Sequence, residues 1–148
     1  MSNFSSNKRA RFDFDIIETL EAGLVLLGTE VKSIRSGRVR LDGGHVVVRG
    51  GEAYLVGITI PAFQPINTSK NYDSERVRKL LLSAKQLHEL NRSTEQQGLT
   101  AIPLSLYSKG GKIKLELAVA KGKKKADKRE SIKARDVKRE IDRTLKMQ

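Results

Sequence analysis

The chain of 148 residues contains no cysteine and no tryptophan, only three prolines and two histidines, and just 5% aromatic residues. Without cysteine there is no disulfide framework and no thiolate zinc site, and the chain suits a reducing compartment, so cytoplasm is the expected location. With four Phe, three Tyr and no Trp, any core must be built chiefly from Val, Ile and Leu. No run approaches the roughly 18 apolar residues of a membrane-spanning helix, and Met1 to Lys8 lacks the apolar stretch of a secretory signal, so no membrane partner is expected. His45 and His88 stand apart, without an HExxH spacing, and are read as ordinary histidines, so no metal site and no cofactor are expected. Gly122-Lys123 is no phosphate loop, because the required glycine five residues earlier is Leu117.

What the chain has in excess is positive charge: 29 Lys and Arg against 17 Asp and Glu, a formal +12. From Lys121 to Gln148 there are 12 basic and 5 acidic side chains. A segment this polar buries too little to offset the entropy of ordering itself, so it is expected to be disordered when free and ordered by a polyanion. Ala134, Val137, Ile141 and Leu145 recur at spacings of three and four, which predicts a helix in the bound state. Phosphate backbones are the fitting polyanion, because each cation that neutralises a phosphate releases condensed counterions. The absence of aromatics from the tail disfavours a membrane surface. The reading divides the chain into a domain over residues 1–126 and a basic tail over 127–148.

Within the domain, Gly43-Gly44, Gly50-Gly51 and Gly110-Gly111 read as hairpin turns between β-rich runs. Ile102, Leu104 and Leu106 alternate with Pro103, Ser105 and Tyr107, and after the last glycine pair Ile113, Leu115, Leu117 and Val119 alternate with Lys114, Glu116 and Ala118. That pattern predicts one apolar and one polar face. Further strands are expected over Phe12 to Leu20, Gly23 to Leu27, His45 to Arg49, Ala53 to Ile60 and Val77 to Leu82. Helices are expected over Thr29 to Ser36 and Ser83 to Gln97, the latter opened by a Ser83/Gln86 capping box and closed by Gly98. Residues 61 to 75 read as a long loop. Six or seven short strands with glycine turns make a mainly β fold, a small closed barrel with added short helices.

Catalysis finds little support. Asp13, Asp15, Glu18 and Glu21 form an acidic cluster that a nuclease could use for Mg²⁺, with Asp13 and Asp15 on one strand face, but a solvated strand edge is the preferred reading. Binding chemistry is better supplied. Asn7-Lys8-Arg9-Ala10-Arg11-Phe12 joins three cations to an aromatic ring, which suits phosphate contacts plus base stacking. Lys32 and Arg35 point the same way on the short helix. Arg76 and Arg78, with Lys70, form a second basic strip, and Tyr107 is placed on the polar face of its strand.

Taken together, Asn7-Lys8-Arg9-Ala10, Glu21-Ala22-Gly23-Leu24, Gly28 to Arg35, Arg76 to Leu82, Ile102 to Tyr107 and Ala120 to Arg129 resemble, in order and spacing, the SsrA-binding protein (small protein B) family. The resemblance implies an oligonucleotide-binding-type barrel and a non-enzymatic role in bacterial trans-translation. It implies binding of the tRNA-like part of transfer-messenger RNA, delivery to a stalled ribosome, and indirect partnership with elongation factor Tu and alanyl-tRNA synthetase. By matched position it places Asn7, Lys8, Arg9, Arg11, Glu21, Ala22, Lys32, Arg35, Lys121, Gly122 and Lys123 on the transfer-messenger RNA. Asp127, Lys128, Arg129, Ile132, Lys133, Lys138 and Arg139 fall on the ribosome, in the small-subunit decoding region and empty mRNA channel. Phe12 and Phe14 stand where the family usually shows His and Tyr, and Ser74 replaces a usual Pro. The one acidic member, Glu21, is expected to accept from base or 2′-hydroxyl donors, or to orient a nearby Arg. A structural ribosomal protein is the alternative function.

Overall fold

The structure, a computed structural model, describes residues 3–64, 70–123 and Arg139. Seven strands form one antiparallel sheet: β1 (Asn3–Ser6), β2 (Phe14–Leu24), β3 (His45–Arg49), β4 (Glu52–Val56), β5 (Arg78–Leu81), β6 (Thr100–Lys109) and β7 (Lys112–Gly122). Three helices accompany them, α1 (Ala10–Asp13), α2 (Gly28–Arg35) and α3 (Ala84–Glu95). The order β1-β6-β3-β4-β5-β2-β7 closes on itself because β6 also pairs with β7. Strand β6 has three neighbours: Ala101 near its start pairs with Val46 of β3, Ser105 to Tyr107 pair with β1, and β7 runs along its other edge.

The inside of this ring is aliphatic, as the shortage of aromatics requires. Leu41, Val46, Leu55, Ile60, Leu80, Leu90, Leu106, Leu115, Leu117 and Val119 are buried together, with Ile34 of α2 among them. The Gly50-Gly51 and Gly110-Gly111 pairs make the β3/β4 and β6/β7 hairpins, both glycines of each at positive φ, as a two-residue turn of this hand demands. Gly43-Gly44 is not a hairpin: the element before it is helix α2, not a strand, and a Cβ on Gly44 would lie 2.5 Å from the Ile58 side chain. That glycine lets a loop press against the core. Ser83 and Gln86 do form the reciprocal cap of α3, at 3.2 and 3.0 Å.

Two predicted strands merge into one. Strand β2 runs unbroken from Phe14 to Leu24, with Phe12 and Asp13 taken into α1. Glu18 to Gly23 pair continuously with β7, and tertiary pairing carries the strand through Glu21-Ala22, where the two expected strands were divided. A bulge between Ile16 and Glu18 leaves Ile17 exposed, and β6 carries another between Pro103 and Ser105, where proline's missing N–H is tolerated. Strand β1 was not expected, since Phe4 is its one large apolar side chain. The single polar face expected for β7 also fails at its end: Ala118 and Ala120 are buried in a second cluster with Ala10, Ile102 and Leu104, packed by Phe14 and Ile16. Small alanines there let α1 lie close against the sheet.

Candidate nucleic-acid interface

The cations expected to act together lie at two ends of the barrel. At one end, β2 and β7 pair Phe14 with Gly122 and Asp15 with Lys121, so the amino-terminal basic segment meets the root of the basic tail. Asn7 anchors that segment: its backbone N–H donates to Leu104 O at 2.7 Å and its side-chain amide to Pro103 O at 2.9 Å, both acceptors lying at the β6 bulge. Asn7 therefore spends its side chain on the protein, as a brace. Lys8, Arg9 and Arg11 are exposed, with the Arg9 guanidinium 5.2 Å from the Phe12 ring centroid and its Nε 3.5 Å from Asp13. Lys123 donates from its backbone N–H to Asp13 O and from Nζ to Arg11 O, each at 2.9 Å, tying the end of β7 to the last turn of α1. Lysine on those carbonyls also suits the negative end of the helix.

The other end holds α2. Its Lys32 and Arg35, whose spacing of three predicts that they point the same way, are both exposed. Arg35 is fixed there by donation from Nη2 to Gly111 O at 3.1 Å, with its guanidinium 5.6 Å from the Phe4 ring centroid. Gly111 and Gly122 mark opposite ends of β7, whose eleven residues span roughly 35 Å at the usual rise. The ends of β7 are thus a strand apart, but the two groups of cations are bridged along β1, since Lys8 lines one surface hollow with Phe4 and with Gly37 just beyond α2.

Glu21 is exposed on the outer face of the sheet between them and is already engaged. Tyr107 donates its hydroxyl to Glu21 Oε2, and Lys109 Nζ stands 3.3 Å from both carboxylate oxygens. The Tyr107 hydrogen bond, aided by Lys109, holds the Glu21 carboxyl below its usual range, and burial together with Glu21 pushes the Tyr107 hydroxyl up. Of the two expected roles, orienting a nearby Arg is not what is seen: the protein partners are a phenol and an ammonium group. Tyr107 was placed correctly on the polar face; its pairing with Glu21 was not legible, because 86 residues separate them.

Other expectations are corrected. Ala22 is 1% exposed and belongs to the core, so its side chain offers nothing to a ligand. Arg76 and Arg78 do not form a surface strip with Lys70: Arg78 is fully buried and both arginines bind the fully buried Glu30. Asp13 and Asp15 do not share a strand face, since Asp13 closes α1 and is paired with Arg9. Asp127, Lys128, Arg129, Ile132, Lys133 and Lys138, together with the helix expected around them and the boundary at 126, lie outside the described residues; Arg139 is helical and exposed. The residue missed altogether was Glu30, hidden in a pattern that read only as a helix opening.

Comparison with known proteins gives the fold and the family. A solved chain described as "tmRNA-SmpB: a journey to the center of the bacterial ribosome" is 41% identical, with a TM-score of 0.67 over 86% of this chain and 92% of that one. The SsrA-binding protein of Thermosynechococcus vestitus is 49% identical over 142 residues, 96% of this chain and 93% of the relative. That of Syntrophobacter fumaroxidans is 51% identical over 140 residues, 95% and 86% of the two chains. The sequence model of the SmpB protein family matches residues 4–147, and the chain belongs to that family.

Proposed function

We propose that the chain binds the tRNA-like part of transfer-messenger RNA and brings it, aminoacylated, to ribosomes stalled without a stop codon, acting without catalysis. The observation that carries this reading is 49% identity to an SsrA-binding protein over nearly the full length, joined to the likeness to a tmRNA-SmpB chain. A tRNA-like elbow offers unpaired loop bases and a bent phosphate backbone, which basic and aromatic side chains recognise by stacking and charge. The barrel, read as an oligonucleotide-binding type, is the rigid platform. Lys8, Arg9, Arg11, Lys121 and Lys123 meet phosphates at the α1 end, and Lys32 and Arg35 at the α2 end. Asn7 and Gly122 shape the first group, and Glu21 with Tyr107 supplies specificity between the two.

The tail beyond residue 126 is the ribosomal probe. It orders as a helix where the mRNA channel is empty, and the entropy of that ordering lowers its affinity for RNA elsewhere. Elongation factor Tu and alanyl-tRNA synthetase act on the same RNA, which makes them indirect partners in a bacterial cytoplasm. Deleting residues 128–148 tests the division of labour. Binding to transfer-messenger RNA is expected to survive and tagging on stalled ribosomes to fail; retained tagging would refute it.

A further inference from the structure

Helix α2 has eight residues, too few to be stable without packing. Its inward face is Glu30, Ser33 and Ile34, all buried, and its outward face carries Lys32 and Arg35. Ile34 supplies apolar contact, which is non-directional and does not set the rotation of a short helix. Besides the bond from Arg35 to Gly111 O, the directional bonds come from Glu30. Its Oε1 accepts from the Leu27 backbone N–H at 2.8 Å, just before the helix, and from Arg76. Its Oε2 accepts from Arg78 Nε and Nη2 at 3.0 and 2.7 Å and from Arg76 Nε at 3.1 Å, with the Tyr72 hydroxyl 3.2 Å away and sharing its one proton between Oε2 and Ile60 O. Arg78 is itself held by Ser74 O at 2.9 Å and Ile58 O at 3.3 Å, and Tyr72 donates to Ile60 O at 2.7 Å. One carboxylate thus links α2 to β5 and to both ends of the loop before it. Lys32, two residues on, lies about 200° around the helix from Glu30.

Burying charge is a poor way to add stability, since a buried ion pair is often no better than an apolar replacement of similar volume, and its best-attested use is fixing register. We propose that Glu30 and Arg78, with Arg76 and Tyr72, are positioning residues that set the rotation of α2 and so present Lys32 and Arg35 to RNA phosphate. The proposal rests on the RNA-binding reading above, in which α2 contacts RNA.

The test uses the full-length chain and transfer-messenger RNA. Glu30→Met with Arg78→Leu replaces the buried pair by apolar side chains, leaving Arg76 at the surface. The expected result is a folded protein by circular dichroism with RNA affinity lowered about tenfold, a loss that vanishes when Lys32→Ala and Arg35→Ala are already present. Unchanged affinity, or the same loss in that background, would overturn the proposal, because a purely structural cluster gives no such coupling. Should the double variant not fold, Tyr72→Phe removes one hydroxyl from the cluster and is expected to lower affinity about threefold with the same dependence on Lys32 and Arg35. No loss there overturns it as well. Lys32→Ala with Arg35→Ala alone, if without effect on RNA affinity, would instead overturn the role of α2 in RNA binding.

Discussion

The two ends of the barrel hold their cations in different ways. At the α1 end, Lys8 and Arg9 lead into a four-residue helix that carries Arg11, and the segment is braced by backbone acceptors and a small alanine-lined cluster. At the α2 end, Lys32 and Arg35 ride on a helix locked by a fully buried carboxylate. The difference separates charge from its availability. Arg78 counts toward the net charge as fully as Arg11, yet only Arg11 is exposed to meet a phosphate.

The largest effect that sharpens this contrast is expected from Glu30→Ala. It leaves the Arg78 guanidinium buried and unpaired, and loss of one partner of such a pair costs about 3–5 kcal/mol. A urea titration should show it; a change within about 1 kcal/mol, on the same scale, would mean that the cluster is not tightly held. The same carboxyl sets a pH dependence. Burial raises its pKa, but hydrogen bonds from Arg76, the Leu27 N–H and Arg78 outweigh this and hold it below the usual value of 4.5. The stability it contributes is therefore present above that value and lost as pH falls through the lowered one. Glu30→Gln should flatten the acid limb of a stability-against-pH curve.

At the α1 end the expected losses are smaller and local. Ala120→Leu overfills the space beneath α1 and should cost about 1–3 kcal/mol. Amide exchange should rise around residues 7–14 and stay unchanged in α2; equal change at both would break the picture of two separate ends. Replacing Lys8, Arg9 and Arg11 by Ala should make the logarithmic dependence of RNA affinity on salt shallower, by about 0.7–0.9 for each phosphate no longer neutralised. A salt slope identical to that of the parent chain would show that these cations meet no phosphate. Smallest is Glu21→Ala, which should weaken cognate RNA slightly more than random RNA, since an exposed hydrogen-bonded pair is worth little. Equal losses on both RNAs would remove Glu21 from specificity.

The α2 and α3 helices, the two tight hairpins and the aliphatic core were legible because each depends on residues near in sequence: Ser83 with Gln86, Gly110 with Gly111, Leu115 with Leu117. The basic patches were legible as charge, and Lys32 with Arg35 as a helical pair. Strand β1 was not, because four mostly polar residues become a strand only when β6 offers an edge. Nor was the β7 end, where alternation is replaced by burial on both faces once α1 covers Ala118 and Ala120.

By itself the sequence determined the class of fold, the excess of cations and the positions at which they fall, since periodicity, turn chemistry and charge are local properties. Which cations face outward was decided by tertiary structure alone. The pairing of Glu30 with Arg76 and Arg78, and of Glu21 with Tyr107, joins residues 46, 48 and 86 positions apart. Distant ionic partners are chosen by where closure of the sheet brings them, and no spacing along the chain encodes that.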